Sequence, residues 1–592
     1  MSTKDDEQTG MTRRDVVFGA SIAAGFSSGA NSTTDAGKQH PAAGPQPRVA
    51  GQFWSNEQKF LRRGQGFDAT NTEFFEAPLE DPAYLEVWCY TDRLSYFPGE
   101  DVRLHVSSTG REVSIEIIRD GKNPLPVHRA EHLPVRLHKL PANFYEAGCG
   151  WPVAYTWRIP EDLPSGFYMV IVRTQTGEES REQEHGFFVR PARSKPRADI
   201  LFISSTCTWN AYNDWGGFSH YVGWGLPDGF RFAPRLSIHR PFARGIIRSP
   251  TGSPRKPHST TIAPHSVPLY PVIDFAFTHG YSKWFTNCGW ATYERPFVVF
   301  AEENQIQLDY ATQLDLHSEP NLLDGYRCVV IVGHCEYWTW EMREAIDRYV
   351  AGGGNVARFA GNFCWQIRLE DAGTQQIAYK TRAHDSDPLR NTEHRRKLTT
   401  FWEDPVVNWP GAATFGLSAV YGVYAHVGVN VPRGSGGFTV YRPEHWAFTG
   451  TDLYYGDDFG GNARIFGYEV DGLDYTFRDG VPEPTERSAA PVGTEILAMA
   501  LASNREIDRG NRGSVFYYGD GSDWIAKARY GEVNERTREA AARGSGMIVS
   551  FNRGKGSVFH AGSSEWVAGL LHRDVFTEQI TRNVLQRFTR SP

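Results

Sequence analysis

The seven cysteines, Cys89, Cys149, Cys207, Cys288, Cys328, Cys335 and Cys364, form no CxxC pair and no zinc-type spacing. That excludes a cysteine zinc site, and so scattered and odd a set does not indicate a disulfide framework. A basic stripe is also missing: 62 Lys and Arg mix with 69 Asp and Glu for a formal charge of −7. That excludes the electrostatic footprint of nucleic-acid binding. No apolar run is long enough to span a bilayer, and there is no internal repeat. What is plentiful is aromatic: 13% of residues, including 17 Trp. This favours β-rich cores and apolar pockets without naming a ligand. At 592 residues, two or three domains with ample core are expected.

Residues 1–50 read as an address and a linker. Thr12-Arg13-Arg14-Asp15-Val16-Val17-Phe18 precedes a mild apolar run, and small residues lead to Ser28-Gly29-Ala30. The pattern resembles a twin-arginine export signal, so the expectation is an exported, periplasmic or extracellular protein. Residues 51–190 show alternating short strands with Pro-Gly and Asp-Gly turns, which predicts a β-sandwich. Arg190-Pro191-Ala192-Arg193-Ser194-Lys195-Pro196-Arg197 marks the boundary. From 191 to 592 the pattern becomes strand–helix–strand, with buried runs at 199–204, 307–312, 329–332 and 355–360. The predicted fold is α/β, with a parallel, flavodoxin- or amidotransferase-like sheet. Further strands are expected at 463–470 and 556–561, and a terminal helix at 575–588.

The densest chemistry lies in Val329-Val330-Ile331-Val332-Gly333-His334-Cys335-Glu336-Tyr337-Trp338. A buried strand ends at a glycine, then a proton carrier (His334), a thiol, a carboxylate (Glu336) and a phenol follow at once. Thr339 caps the helix that comes next. Tyr212 follows the first strand of the same region. Parallel strands would open both turns on one sheet edge, facing Tyr212 to Glu336. Glu469 is a third candidate, near the end of a later strand.

Thr208-Trp209-Asn210-Ala211-Tyr212-Asn213-Asp214-Trp215-Gly216-Gly217, Gly333–Trp338, Gly352-Gly353-Gly354-Asn355-Val356 with Gly361-Asn362, and Phe559–Trp566 occur in order. Together they resemble signatures of the N,N-dimethylformamidase large-subunit family, over roughly residues 195–592. The resemblance implies hydrolysis of small amides at a mononuclear iron held by two tyrosinates and a glutamate. Tyr212 and Glu336 match metal ligands; His334 and Glu469 match the catalytic His and Glu. Where the second tyrosine is expected, in Ser237-Ile238-His239-Arg240-Pro241-Phe242, this chain has Phe242. His239, Tyr270 or Tyr281 could substitute, a different metal could bind, or none. Asn213 and Asn362 are candidates for steadying an oxyanion, and Trp215, Trp338 and Trp365 for lining a pocket. A small amide substrate is expected, with a small partner subunit or a homo-oligomer. Two alternatives stand beside this. One is an inactive relative that binds a sugar or peptide. The other is a Cys335 thiol hydrolase with His560 as base and Glu565 behind it, although Cys335 lacks the small neighbours such an elbow needs.

Overall fold

In Val102-Arg103-Leu104-His105-Val106 every second side chain turns inward, as a half-buried strand requires: Val102, Leu104 and Val106 are buried and Arg103 is exposed. In a computed structural model of the chain, residues 74–193, 197–223, 226, 232–255, 271–422, 436–503 and 522–590 are described. The leader and Tyr270 lie outside them. Strands Val87–Thr91, Asp101–Ser108 and Val153–Arg158 form an antiparallel three-stranded sheet. Ser95–Tyr96, Glu179–Val189, Gly166–Thr176, Glu112–Asp120 and Leu125–Pro134 form a five-stranded sheet in that order. Val87, Leu104, Trp157, Ile115, Val170 and Phe187 from both sheets share one apolar cluster, the arrangement of two sheets packed face to face.

The outer face of the five-stranded sheet is buried too. Phe167, Met169, Ile171 and Phe188 join the main core of the molecule, and Phe167 stacks on Trp290 with ring centroids 4.2 Å apart. Ion pairs run along this seam, Asp120 with Arg295 at 2.9 Å and Arg190 with Glu319 at 2.5 Å.

The second half of the chain is built on a nine-stranded sheet. Its order is Leu308–Thr312, Ile200–Ser204, Cys328–His334, Asn355–Gly361, Gly556–His560, Arg543–Arg553, Glu495–Ser503, Phe438–Val440 and Asp458–Phe459. The first five run parallel. Every pairing after them is antiparallel. This overturns the expected parallel, flavodoxin- or amidotransferase-like α/β domain: the sheet is mixed and the molecule is mostly β. The physical reason is a hairpin at the edge of the parallel part. Arg543–Arg553 and Gly556–His560 are joined by a two-residue turn, which forces an antiparallel pair, and the later strands add to that edge.

Helix Trp340–Gly352 follows the Thr339 cap and Val575–Thr589 covers the expected terminal helix; a further helix spans Arg295–Glu303. The strand expected over 463–470 is a loop with one isolated bridge, between Val470 and Ser563. Its backbone pairs instead with a serine-rich turn, since the Glu469 carbonyl accepts from the Ser564 N–H at 3.0 Å. Among the described residues, no helix is long and apolar enough to cross a membrane.

Candidate functional site

Strand Ile200–Ser204 pairs with Leu308–Thr312 on one side and Cys328–His334 on the other. The connections therefore leave the sheet in opposite directions, which opens a crevice at the carboxyl ends of the strands. Helix Thr206–Tyr212 follows the first strand and delivers Tyr212 at its last residue. Strand Cys328–His334 ends on His334. Gly333, at φ +70, turns the chain there; a Cβ on it would stand 2.4 Å from Cβ of Tyr293, so only glycine fits. Glu336 follows, and Tyr337–Thr339 makes a short strand before the Thr339-capped helix.

His334, Glu336 and Tyr212 are all buried, as is Glu469. His334 Nδ1 is 2.6 Å from the Asn287 carbonyl, which fixes a proton on that nitrogen. Its Nε2 lies 2.7 Å from Glu469 Oε2 and 3.4 Å from Glu336 Oε2. Burial alone would lower the pKa of His334; the Glu469 and Glu336 carboxylates overcome this and raise it to about 10. Burial raises the pKa of Glu469, against the pull of His334. At 2.7 Å the two groups titrate together as one pair. Asn362 touches both partners, with Nδ2 at 3.2 Å from His334 Nε2 and in contact with Glu469.

Glu336 anchors the other side. Its Oε1 accepts from Trp365 Nε1 at 2.7 Å. The Tyr221 hydroxyl lies 2.9 Å from each of its carboxylate oxygens. Tyr337 donates to the Tyr221 hydroxyl at 2.8 Å. The Tyr221 and Tyr212 rings are 4.4 Å apart, and Tyr212 lies 5.0 Å from the His334 ring. Burial, and then the charge of Glu336, push the Tyr212 phenol well above its ordinary range. Lys380 Nζ sits 3.6 Å from the centre of the Tyr221 ring and donates to the His220 carbonyl at 3.1 Å. Burial pulls its pKa down to about 8, against the pull of Glu336.

Residues 117–579 match the family model described as N,N-dimethylformamidase beta subunit-like, C-terminal. The chain belongs to this family. The matched stretch begins in strand Glu112–Asp120, so it takes in much of the five-stranded sheet as well as the crevice. Two relatives are named N,N-dimethylformamidase beta subunit. The one from an Alcaligenes species is 24% identical over 245 residues, 37% of this chain and 28% of its own length. The one from Paracoccus aminophilus is 23% identical over the same extent. The match thus spans little more than a quarter of either relative.

Within this dimethylformamidase-like chain the structure brings Tyr212, His334, Glu336 and Glu469 to one crevice. It places Phe242 elsewhere. That ring stacks on His185 at 4.7 Å and meets Trp209 edge-on at 6.1 Å. His239 Nε2 is 3.0 Å from the Asp92 carbonyl, and Tyr281 packs on Phe285 at 5.5 Å. The second phenol beside Glu336 is Tyr221, nine residues after Tyr212 and past the Gly216-Gly217 turn, which sequence reasoning missed. Lys380 and Asn287 were missed as well, because nothing local marks a lysine or an asparagine as facing a crevice.

Asn362 and Trp365 reach the site. Asn213 does not: its amide braces the Pro241 carbonyl and the Ala243 N–H. Trp215 packs on Trp88, and Trp338 on Phe415. The Cys335 thiol lies 3.2 Å from Trp338 Nε1, and burial raises its pKa. His560 is committed to the Phe415 carbonyl at 3.1 Å and to Arg358, which leaves Cys335 without the base a thiol nucleophile needs.

Proposed function

We propose that the chain hydrolyses the C–N bond of small amides at a mononuclear iron held by Tyr212, Tyr221 and Glu336, with His334 and Glu469 handling protons. One observation carries this reading: a carboxylate within 2.9 Å of a phenol hydroxyl, beside a buried imidazole–carboxylate pair at 2.7 Å. The donor set fits the ion. Two phenolates and a carboxylate make a hard, trianionic set suited to Fe(III). Burial keeps the Tyr212 phenol protonated, so it becomes a ligand only where a strong cation displaces the proton.

When bound, the metal supplies a Lewis acid for the amide carbonyl and for water. The protein does the rest. Glu469 Oε2 takes a proton from the attacking water, and His334 Nε2 delivers one to the departing amine nitrogen. Asn287 holds the ring in the tautomer this needs. Asn362 steadies Glu469. Trp365 and Tyr221 aim the Glu336 carboxylate.

Metal analysis tests the proposal. Purified protein should carry near-stoichiometric iron and a visible tyrosinate-to-iron charge-transfer band that weakens in Tyr212→Phe. It should also turn over dimethylformamide or a related small amide. Iron-free, fully active protein would refute it. A second reading is favoured by one observation: a ring nitrogen of His334 and one oxygen each of Glu336 and Glu469 lie within 4.8 Å of one another. That set would hold a divalent ion without phenolates. It predicts colourless protein that keeps its metal in Tyr212→Phe and loses it in Glu469→Gln. Export through the Thr12–Ala30 leader and assembly with a small subunit, or with a second copy, belong to the proposal. Cell fractionation and the mass of the native particle test them.

A further inference from the structure

Behind the crevice lies a group of charged side chains that the proposed chemistry does not use. Arg358, Asp471 and His560 are each fully buried. They come from strand Asn355–Gly361, from the loop just past Glu469, and from the end of strand Gly556–His560. Arg358 Nη1 donates to Asp471 Oδ2 at 2.9 Å, and Nη2 donates to the Cys335 carbonyl at 3.0 Å. The same Nη1 meets His560 Nε2, whose other ring nitrogen reaches the Phe415 carbonyl at 3.1 Å. Asp471 Oδ1 accepts from the Phe363 N–H at 3.0 Å.

These bonds meet the reacting groups at three points. The Cys335 carbonyl lies between His334 and Glu336. The Phe363 N–H follows Asn362 directly. Asp471 stands two residues after Glu469. The guanidinium is a planar fork, so one side chain fixes two backbone segments at a set angle. Burying an ion pair rarely stabilises a fold more than apolar packing of the same volume would. Its recurring use is to select one arrangement. Burial would raise the pKa of Asp471, but His560 Nε2, 3.3 Å from its Oδ2, and the Arg358 charge hold it below the usual carboxylate range.

Resting on the functional reading above, we propose that Arg358, Asp471 and His560 are positioning residues. Together they set the His334–Glu336 turn, Asn362 and Glu469 in register with one another for proton transfer. The ion pair holds geometry, and its own charges take no part in the reaction.

The test replaces the pair with apolar side chains of similar volume, Arg358→Met with Asp471→Leu, in the full chain. The expected variant folds, keeps its metal content and keeps KM within about threefold. Its kcat falls about 100-fold, as misplacement by an ångström does. An activity-independent readout accompanies this, taken on protein loaded with diamagnetic Ga(III) in place of iron: the slowly exchanging imidazole N–H signal of His334, bonded to the Asn287 carbonyl in wild type, should shift or vanish. A folded double variant with wild-type kcat and an unchanged His334 signal overturns the proposal. Should that variant not fold, Arg358→Lys serves. It keeps the charge but cannot reach Asp471 and the Cys335 carbonyl together, so kcat should fall about 10-fold with the His334 signal displaced. Wild-type values for both overturn the proposal equally. If wild type turns over no amide, the functional reading fails by itself, and the His334 signal alone decides the positioning role.

Discussion

The two-sheet core of the first half and the crevice of the second are both closed to solvent, yet they are made of opposite materials. The first is Val, Ile, Leu, Trp and Phe on alternate positions of short strands. The second packs His334, Glu336, Glu469, Tyr212 and Lys380 with little or no exposure. Apolar burial is non-directional and tolerates small shifts. A buried ionisable group is bearable only with its partners in place. On the proposed function the first region sets stability and the second sets chemistry, and single substitutions should separate the two.

The sharpest separation comes from Glu336→Ala. It removes the group that Trp365 and Tyr221 both aim, so bound iron should be lost. Amide turnover should fall at least about 1,000-fold in kcat/KM, the scale of losing a Lewis acid. Next, His334→Ala or Glu469→Gln should lower kcat by about 100- to 10,000-fold with iron retained. Metal analysis beside steady-state kinetics distinguishes these two results.

In the opposite direction, Ile117→Ala in the two-sheet core should cost about 2–5 kcal/mol in chemical denaturation. It should leave the iron content of the folded fraction unchanged. If that variant lost metal selectively, the division between the regions would fail.

Glu294 gives a graded test. It is buried and accepts from Ser204, Ser205 and Trp209, and burial pushes its pKa up to about 7 despite those bonds. A raised carboxyl favours the protonated form in the fold. That stability is complete below the ordinary carboxylate range and is lost as pH rises through 7. Roughly 3 kcal/mol should disappear between pH 4 and pH 9, and Glu294→Gln should flatten that part of the stability curve. The smallest effect is Phe242→Tyr, which should add no iron and cost about 1–3 kcal/mol for a buried hydroxyl without a partner.

Local pattern carried much of this molecule. The apolar run before Gly333, the Thr339 cap and the alternation in the first half each predict an element that forms, because burial on a strand or helix repeats at a fixed period. The strand Glu495–Ser503 was invisible for the complementary reason: Ile496-Leu497-Ala498-Met499-Ala500-Leu501 is rich in good helix formers. Its place between two antiparallel neighbours decides its state.

By itself the sequence determined the family resemblance and marked Tyr212, His334, Glu336 and Glu469 as candidates for chemistry. Tertiary structure alone decided the rest. It turned a predicted parallel sheet into a mixed one, since a hairpin joins strand Gly556–His560 to Arg543–Arg553 and the later strands add to that edge. It also put Tyr221 beside Glu336 and Phe242 against His185, because proximity across a crevice has no period along the sequence.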